Sequence, residues 1–543
     1  MSCTVLIAGA GPVGLTLAAD LAWRGVRCMV VDPQIEVHPH PRAISIGVRS
    51  MEHFRRLGID QRVIDAGVPR SQPLDVVYVT RMLGREIFRF RFPSIDALGS
   101  DRESLAKSIP EIAASPYFKT WVAQSPLERM LRAHLSNLPD VELRLGWRLE
   151  AFEEDQQGVR ARLIHASSGA VDTVEARYLA GCDGANSTVR NVLGIRLEGR
   201  GTLGDARGIY FRAPQLDARL KADPAVMYWV LAPGAGGTIY TINGGGEWVY
   251  NRYPVPGESM DSGDPVELVQ RALGERIDVE ILSVQDWLPR QLVAQSYGSR
   301  RVFLAGDACH LFVPTGGFGM NTGIGDAADL AWKIAAMEEG WGGASLLSTY
   351  DTERRPVARF NTLEAADNYT RSGELFNVPA TLESETGEGE AARAALATLL
   401  PPKIKHFAPI GVHLGYRYEG SPLIASDGTP EPAIETANYT PTARPGHRAP
   451  HAWLADGRSM LDLYGKGFVL LRLGRDAPTV DAMTRAAKEA GIPLSSVGID
   501  DARIAELYGR RLVLVRPDGH VAWRGDVEPE NAATLMMRVA GRL

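Results

Sequence analysis

The stretch Gly9-Ala10-Gly11-Pro12-Val13-Gly14 decides the fold of the amino-terminal part of the chain. It follows an apolar run, Thr4 to Ala8, and it opens a helical pattern, Pro12 to Trp23. A G-x-G-x-x-G loop between a strand and a helix exposes backbone N–H groups at the positive end of the helix dipole. The stretch therefore predicts a βαβ unit with a phosphate site at its turn.

Each glycine of this loop has its own expected task. Gly9 permits the tight turn, Gly11 lets a pyrophosphate approach the backbone, and Gly14 lets the helix pack on the strand. Asp32 ends the second strand, Cys28 to Asp32, and is placed to accept the ribose hydroxyls of an adenosine. A bare turn without a ligand does not explain this combination, although the motif alone does not separate FAD from NAD.

Composition limits the class of protein. The 543 residues indicate roughly two to four domains. A net charge of -6, spread along the chain, gives no basic surface for nucleic acid. The sequence lacks a signal-peptide pattern and an apolar run of ~18 residues, so we expect a cytoplasmic protein that does not enter membranes.

Cysteines and histidines give no metal-binding pattern. The cysteines lie far apart, at Cys3, Cys28, Cys182 and Cys309. This spacing argues against a disulfide framework and a zinc site. The carboxyl-terminal histidines are scattered, at His447, His451 and His520. We predict no metal.

The remaining chain returns repeatedly to the first sheet. A helix is expected at Val48 to Leu57, and apolar and polar residues alternate in 75–92 and 209–251, which is typical of an antiparallel sheet. Two later apolar runs, Ala176 to Asp183 and Arg301 to Asp307, predict further strands of the nucleotide-binding sheet. The second leads into a helix expected at Asn321 to Glu338, and an acidic helical connector is expected at 381–392.

From about Arg444 the pattern restarts in the order βαβαββα. The expected strands are 468–473, 494–499, 512–516 and 520–523, and the expected helices are 480–490, 502–508 and one at the end. This order is that of a thioredoxin-like domain. Because no cysteine lies beyond Cys309, a redox role fails and a structural or assembly role is left.

Two segments favour FAD over NAD. They are Cys182-Asp183-Gly184-Ala185-Asn186-Ser187, with Val189 and Arg190 behind it, and Gly306-Asp307-Ala308. Both are similar to the DG and GD motifs of class A flavoprotein monooxygenases, which share the para-hydroxybenzoate hydroxylase fold. Short Asp-Gly pairs alone are usually turns. Their order after a Rossmann loop carries the resemblance, which covers nearly the whole chain.

The resemblance continues in Pro314-Thr315-Gly316-Gly317-Phe318-Gly319-Met320-Asn321-Thr322-Gly323, which the family places beside the isoalloxazine ring. N–H groups at a helix start would stabilise negative charge on a reduced flavin. Arg42 and Ala43 after Pro41, and Gln124, match further FAD positions. The expected cofactor residues are Gly9, Ala10, Gly11, Pro12, Val13, Gly14, Asp32, Arg42, Ala43, Gln124, Leu149, Asp183, Gly184, Gly306, Asp307, Pro314, Gly319, Met320 and Asn321.

The end of the chain resembles the phenol hydroxylase subgroup, which adds a thioredoxin-like domain without active-site cysteines. The matching stretches are 444–451 and 516–524. The expected fold is α/β, a Rossmann-like FAD-binding domain interleaved with a β-sheet substrate domain. The expected FAD-binding parts are 1–72, 101–203 and 299–400, the substrate parts 73–100 and 204–298, the linker 401–443, and the thioredoxin-like domain 444–543.

The resemblance implies hydroxylation of a phenolic or related aromatic substrate with FAD, NAD(P)H and dioxygen. Some phenol hydroxylases have an acidic residue after the segment matching 41–43, but here Ile44, Ser45 and Ile46 follow, so no catalytic base is carried over. Candidates by position are Tyr210, Tyr228, Tyr240 and His310, for each of which core packing is the simpler interpretation. The sequence shows no second Rossmann loop, and Arg42 and Arg190 are candidates for the nicotinamide phosphates.

Two alternatives stay open at this point. An epoxidase, Baeyer–Villiger oxygenase or dehydrogenase on the same fold would keep every cofactor motif. A non-catalytic flavin-binding protein is the other alternative. A small aromatic molecule and dioxygen are the expected partners, and a homodimer is left open.

Overall fold

The computed structural model describes residues 2–220, 222–253 and 263–543. Numbered in chain order, the strands are β1 (Cys3–Ala8), β2 (Cys28–Asp32), β3 (Ser45–Ile46), β4 (Val76–Val79), β5 (Glu86–Phe90), β6 (Thr120–Trp121), β7 (Val141–Leu145), β8 (Trp147–Glu154), β9 (Val159–His165), β10 (Val171–Gly181), β11 (Leu197–Thr202), β12 (Ala206–Arg212), β13 (Met227–Val230), β14 (Gly237–Thr241), β15 (Glu247–Arg252), β16 (Glu280–Trp287), β17 (Arg290–Ala294), β18 (Val302–Leu304), β19 (His310–Leu311), β20 (Phe468–Leu473), β21 (Leu494–Ile499), β22 (Leu512–Val515) and β23 (Val521–Gly525).

The α-helices are α1 (Pro12–Trp23), α2 (Val48–Arg56), α3 (Asp60–Asp65), α4 (Ile95–Ser100), α5 (Arg102–Ser108), α6 (Gln124–Leu135), α7 (Thr188–Val192), α8 (Pro214–Leu220), α9 (Pro265–Leu273), α10 (Phe318–Glu338), α11 (Thr349–Gly373), α12 (Gly387–Thr398), α13 (Ile410–Gly415), α14 (Asp481–Glu489), α15 (Ala502–Tyr508) and α16 (Ala532–Val539). Short 3₁₀ helices lie at Pro110–Ala114, Gly306–Ala308, Glu374–Phe376, Ala380–Glu383, Pro401–His406 and Met460–Leu463.

The first sheet has the order β7-β2-β1-β10-β9-β8, with β18 beside β10. The strand β10 serves both halves of this sheet, because residues 171–176 pair antiparallel with β9 and residues 176–181 pair parallel with β1. Since β1, β10 and β18 run parallel, their carboxyl ends meet at one edge. The predicted βαβ unit is confirmed, and α1 and β2 have the predicted bounds.

The second sheet has the order β16-β12-β15-β14-β13-β4-β5. Its two faces are covered by separate apolar clusters, one around Tyr78 and Trp229 and the other around Tyr228 and Trp248. The predicted antiparallel pairing is found throughout this sheet except between β13 and β4, which run parallel. In the chain, β4 follows α3 and lies far from β13, so the two strands are not joined by a hairpin.

The helix α10 begins at Phe318, three residues before the predicted start at Asn321. Gly317 precedes it with φ +66, a left-handed conformation that suits glycine. Gly319 and Met320 are therefore helical and not part of the loop. The acidic connector is helical, as expected, although α12 extends beyond the predicted end at residue 392.

The carboxyl-terminal part forms a sheet in the order β21-β20-β22-β23, in which β20 and β21 are parallel and the other pairs antiparallel. Its strands and helices follow the predicted order, with shifts of a few residues at some ends. The likeness to thioredoxin and the domain boundaries stay predictions.

Buried ion pairs join this carboxyl-terminal part to the helices of the first sheet. Arg516 donates to Glu353 on α11 at 2.6 and 2.9 Å and to Asp329 on α10 at 3.3 Å. Arg448 donates to Glu52 on α2 at 2.5 and 2.9 Å. All five residues are buried. The carboxyl-terminal part thus supplies the countercharges of carboxylates on three helices.

In the part of the chain that the structure describes, no helix has the length and apolar character needed to cross a bilayer. The cytoplasmic location stays a prediction.

The four cysteines are free thiols, three of them buried and Cys182 partly so.

Replacing Arg516 tests the docking contact. The change Arg516→Met keeps an apolar stem of similar length but leaves Glu353 and Asp329 with Lys333 as their remaining cation. Removing one partner of a buried ion pair costs about 3–5 kcal/mol, so we expect the free energy of unfolding to fall by that amount in denaturant titrations. The matched control is Arg503→Met, because Arg503 pairs with Asp501 on the surface, and its effect should stay within ~0.5 kcal/mol. Equal effects of the two changes would contradict the docking role.

Candidate active site

A cavity of about 1160 Å³ lies between the first and second sheets. One wall consists of the glycine loop, the ends of β10 and β18, and the loop before α10. The other wall consists of side chains from β13, β14 and β15 and from the segment 406–413. The cavity is larger than most pockets for a single ligand, which measure roughly 300–1,000 Å³.

The glycine loop has the geometry that its sequence predicts. Gly9 has φ +109, and a Cβ there would lie 2.3 Å from the carbonyl oxygen of Cys182. A Cβ on Gly14 would lie 2.0 Å from the carbonyl oxygen of Gly9. A Cβ on Gly11 would meet no atom within 4 Å, and Gly11 lines the cavity. The loop therefore leaves an open cradle at Gly11, as the binding of a pyrophosphate requires.

Asp32 is held in place at the end of β2. One carboxylate oxygen accepts from the N–H of Ala10 at 2.7 Å, and the other accepts from the N–H of Gln34 at 2.8 Å. The residue also lines the cavity. These bonds fix a carboxylate beside the glycine loop, where a ribose of a dinucleotide would lie.

The DG and GD segments are tied together by Arg190. Its guanidinium donates to the carbonyl of Ala308 at 2.9 Å and to that of Ala185 at 2.8 Å. Arg190 is buried and is absent from the cavity wall. The geometry does not favour Arg190 as a partner of the nicotinamide phosphates, and that role stays a prediction, whereas Arg42 is exposed and lines the cavity.

The two motif aspartates differ in their surroundings. Asp183 accepts from the hydroxyl of Ser187 at 2.5 Å and from the N–H of Val189 at 3.1 Å, so it caps the turn into α7. Burial raises the pKa of Asp183, and the bond from Ser187 opposes that shift. Within the described part of the chain Asp307 makes no such bonds, and it is exposed toward the cavity, although desolvation by the surrounding protein raises its pKa as well. Asp307 is therefore the motif carboxylate that is free to meet a ligand.

Asn321 fastens the loop before α2 to the start of α10. Its side-chain oxygen accepts from the N–H of Gly47 and from the hydroxyl of Ser50, both at 2.7 Å. Its amide nitrogen donates to the carbonyls of Ser45 at 3.0 Å and of Gly317 at 2.7 Å. Asn321 does not line the cavity. It therefore shapes the wall from behind.

Most of the other predicted cofactor residues line the cavity directly. Gln124 does so while its side chain donates to Glu128 at 2.7 Å and its N–H donates to the carbonyl of Ala43 at 2.7 Å. Those on the cavity wall are Gly9, Ala10, Gly11, Pro12, Val13, Asp32, Arg42, Ala43, Gln124, Leu149, Asp183, Gly184, Asp307, Pro314, Gly319 and Met320. Gly14, Gly306 and Asn321 lie behind it. A Cβ on Gly319 would lie 3.3 Å from the Cβ of Phe312, so a side chain at this position would point toward protein atoms.

Three of the four candidate bases lie away from the cavity wall. His310 is fully buried and bonds through Nε2 to Asp326 at 2.7 Å. Tyr210 donates to Glu247 at 2.7 Å, and Tyr228 packs in the cluster on the far face of the second sheet. Tyr240 lines the cavity, but burial raises the pKa of its hydroxyl. These positions support the packing interpretation for His310, Tyr210 and Tyr228.

The structure adds polar cavity residues that the sequence did not reveal. His406 is 4% exposed, and its Nε2 has no hydrogen-bond partner within the described ranges. His413 on α13 lies against Gly47 and Phe318, and burial lowers its pKa to about 4. Both lie in the predicted linker 401–443, where no motif marks them. The third polar cavity residue without a sequence signal is Lys119, which lies just before β6.

One group of potential metal ligands occurs beside the site. Ligand atoms of Cys309, His310 and Asp326 lie within 4.8 Å of one another. The Asp326 carboxylate already accepts from Arg354 at 2.9 Å and from the N–H of Gly306 at 3.2 Å. These bonds explain the cluster as a packed polar contact, and the expectation of no metal stays a prediction.

Comparison with known proteins agrees with this geometry. The FAD binding domain family matches residues 2–365, and the family "Aromatic-ring hydroxylase, C-terminal" matches residues 442–542. The FAD-dependent monooxygenase apdD of Emericella nidulans is 33% identical over 572 residues, covering 99% of this chain and 90% of the relative. The 4-methyl-5-nitrocatechol 5-monooxygenase of a Burkholderia species is 33% identical, covering 98% of this chain and 96% of the relative.

A solved structure extends the agreement to the whole fold. The rebeccamycin biosynthetic enzyme RebC with reduced flavin is 39% identical, with a TM-score of 0.90, covering 100% of this chain and 99% of that one. Fold and cavity thus define a flavin-dependent oxidoreductase. The chain belongs to the FAD-binding aromatic-ring hydroxylases. Its cofactor is FAD, and its activity is that of a flavin-dependent monooxygenase on aromatic compounds.

The open cradle at Gly11 can be closed by mutation. The Cβ of a valine there would meet no protein atom within 4 Å, so we expect the apoprotein to fold normally, but the side chain would occupy the space expected for the pyrophosphate. We expect Gly11→Val to lower the FAD content of purified protein roughly tenfold or more, as measured by absorbance after denaturation. The control is Gly99→Val, because Gly99 is equally open but lies on α4, away from the cavity wall. Normal FAD content in Gly11→Val would refute the cradle.

Asn321 offers an isosteric test of the wall. Asn321→Asp keeps the oxygen that accepts from Gly47 and replaces the nitrogen that donates to two carbonyls with a second oxygen. Loss of these donors and repulsion of the carbonyls should weaken FAD binding by roughly tenfold or more in equilibrium titrations of the apoprotein. Asn377→Asp, at an exposed position, is the control and should bind FAD like the wild type. Unchanged affinity in Asn321→Asp would show that the clamp has no effect on the site.

Proposed function

We propose that this enzyme adds one oxygen atom to a phenolic or related activated aromatic ring, with NAD(P)H and dioxygen as co-substrates. The observation that carries the proposal is one continuous cavity, which is walled on one side by the dinucleotide-binding motifs and on the other by aromatic side chains. Its volume of about 1160 Å³ has room for a flavin ring together with an aromatic substrate.

The residues of the first wall would hold the cofactor. Gly9 to Val13 would bind the pyrophosphate, Asp32 a ribose, and the remaining cavity-lining residues from the predicted set the rest of FAD: Arg42, Ala43, Gln124, Leu149, Asp183, Gly184, Asp307, Pro314, Gly319 and Met320. The open cradle at Gly11 fits this assignment, and so does the start of α10, where Gly317 has no side chain that could cap the first N–H groups. When bound, FAD supplies the transfer of reducing equivalents from NAD(P)H to dioxygen.

The second wall would orient the ring and keep water out. Trp229 stacks on Tyr78 with centroids 5.5 Å apart, and Trp121 donates from its indole N–H to the carbonyl of Thr241 at 2.9 Å. Phe407 packs edge-on against Trp229 at 6.1 Å. These contacts fix three large apolar surfaces at the cavity. A dry site favours transfer of oxygen to the substrate over release of hydrogen peroxide.

The organisation follows from the same proposal. Segments 73–100 and 204–298 would form the substrate domain, and the FAD-binding domain would comprise 1–72, 101–203 and 299–400. The pairing of β4 with β13 supports the joint assignment of the two substrate segments. The linker 401–443, the domain 444–543 and a homodimer are proposed on the family resemblance alone.

Labelled dioxygen distinguishes this reaction from others on the same fold. We expect turnover of a responsive phenol under ¹⁸O₂ to give a product with one labelled oxygen, an intact ring and one NAD(P)H consumed. Mass spectrometry of the product checks this, and turnover under unlabelled dioxygen in ¹⁸O-water is the control. Ring expansion, epoxide formation or oxidation without label would contradict hydroxylation and indicate another flavin chemistry. Failure of every aromatic compound to stimulate NAD(P)H oxidation would favour a binding protein.

A further inference from the structure

A buried lysine lies in the cavity wall without a carboxylate partner among the residues that the structure describes. Lys119, just before β6, is 7% exposed and lines the cavity. Its Nζ lies 4.3 Å from the ring centroid of Phe92 and 5.6 Å from that of Trp121. Its one hydrogen-bond acceptor within the described ranges is the carbonyl of Leu74, at the long distance of 3.5 Å. The ammonium group is therefore largely desolvated and poorly satisfied.

The nearest carboxylate that acts on Lys119 is already committed elsewhere. Asp75 accepts from the backbone N–H of Phe92 at 2.8 Å, from Arg89 at 3.1 Å and from Arg91 at 3.4 Å. Its charge raises the pKa of Lys119, but no direct hydrogen bond joins the two side chains within the described ranges. Among the described residues, no carboxylate thus pairs directly with Lys119, although a buried charge without such a partner is costly.

The buried Lys333 shows what a structural lysine looks like in this protein. Its Nζ contacts Asp329 at 2.6 Å and Glu353 at 2.7 Å, away from the cavity. Lys119 is also buried, but it faces an open cavity and aromatic rings in place of carboxylates. The difference points to a partner that enters from the cavity.

We propose that Lys119 binds an anionic oxygen of the aromatic substrate, either a phenolate or a ring carboxylate. This inference rests on the proposed function, and it narrows the substrate to an acidic aromatic compound. The aromatic side chains around Nζ fit the ring that carries the acidic group. Nζ would form a charge-assisted hydrogen bond to the oxygen, which orients the ring within the cavity.

The protonation equilibrium of Lys119 suits this role. Burial lowers its pKa to about 7, and the charge of Asp75 offsets only part of that shift. A neutral amine at this position accepts the proton of a phenol: the O–H bond breaks, an N–H bond forms, and a phenolate faces an ammonium group. A substrate that arrives as a carboxylate pairs instead with the ammonium form. Either route ends with the same ion pair.

Three matched ligands test the inference on the FAD-loaded enzyme. They are 1-naphthol, 1-naphthoate and 1-methoxynaphthalene, with dissociation constants measured from the absorbance change of bound FAD. Wild-type protein should bind naphthol or naphthoate roughly tenfold or more tightly than the methyl ether, as a charge-assisted bond implies. Preference for naphthol identifies a phenolate site, and preference for naphthoate identifies a carboxylate site. If the wild-type protein prefers neither naphthol nor naphthoate over the methyl ether, the inference is wrong.

The variants separate a binding role from a structural one. Lys119→Met keeps the apolar stem between Phe92 and Trp121 and should lose the acid preference while binding the methyl ether normally. Its Tm should equal or exceed that of the wild type, because an unpaired buried charge is removed. Lys333→Met should lower Tm, and Lys466→Met, a surface lysine 5.2 Å from the ring of Trp23, should change neither property. Retained acid preference in Lys119→Met would show that Lys119 does not bind the acidic group, and a loss of Tm like that of Lys333→Met would show that Lys119 is structural.

Product analysis keeps the two proposals apart. If Lys119→Met binds acidic ligands like the wild type while labelled oxygen still enters the ring, hydroxylation stands and the role of Lys119 falls. If the acid preference disappears in the variant but wild-type protein does not hydroxylate any ring, the binding site stands and the proposed function falls.

Discussion

At the carboxyl ends of β1 and β10, the backbone of Gly9 lies against the carbonyl of Cys182, and a Cβ at this position would be 2.3 Å from that oxygen. The parallel pairing of Ala8 with Gly181 brings the two chain segments side by side. Because glycine permits this contact, the phosphate loop and the DG segment face the same space. Any side chain at Gly9 would separate them, and the cavity wall would lose its shape.

The helix α10 connects this cavity wall to other parts of the molecule. Its first turn lines the cavity, Asn321 fastens it to the loop before α2, and Asp326 bonds to Arg354 on α11. Asp329, about 17 Å from the helix start at 1.5 Å per residue, meets Arg516. A continuous helix is rigid over this length. The docking of the carboxyl-terminal part therefore bears on the position of the cofactor loop, although that part does not itself line the cavity.

The sequence predicts those features that depend on local rules. The bounds of α1 and β2 follow from glycine, proline and an apolar run, and the cofactor motifs follow from spacing. The substrate wall does not follow from local rules. Alternation along a strand does not show which face of the sheet lines the cavity and which face is covered by another apolar cluster. Tyr228 and its neighbour Trp229 illustrate this: the tyrosine packs on the far face, and the tryptophan lines the cavity. The partners of Lys119 and His413 are likewise set by tertiary packing, since no motif surrounds either residue.

Buried cations occur in two environments in this fold. At the docking surface, Arg516, Lys333 and Arg448 each contact carboxylates within the protein, so their desolvation is compensated whether or not a ligand is bound. In the cavity, Lys119 lacks such a partner within the described residues, and the Nε2 of His406 is likewise unsatisfied there. An unsatisfied buried polar group costs about 1–3 kcal/mol, which a ligand can recover by bonding to it. Arg516, Lys333 and Arg448 thus hold parts of the protein together, whereas Lys119 and His406 lie where a substrate can reach them.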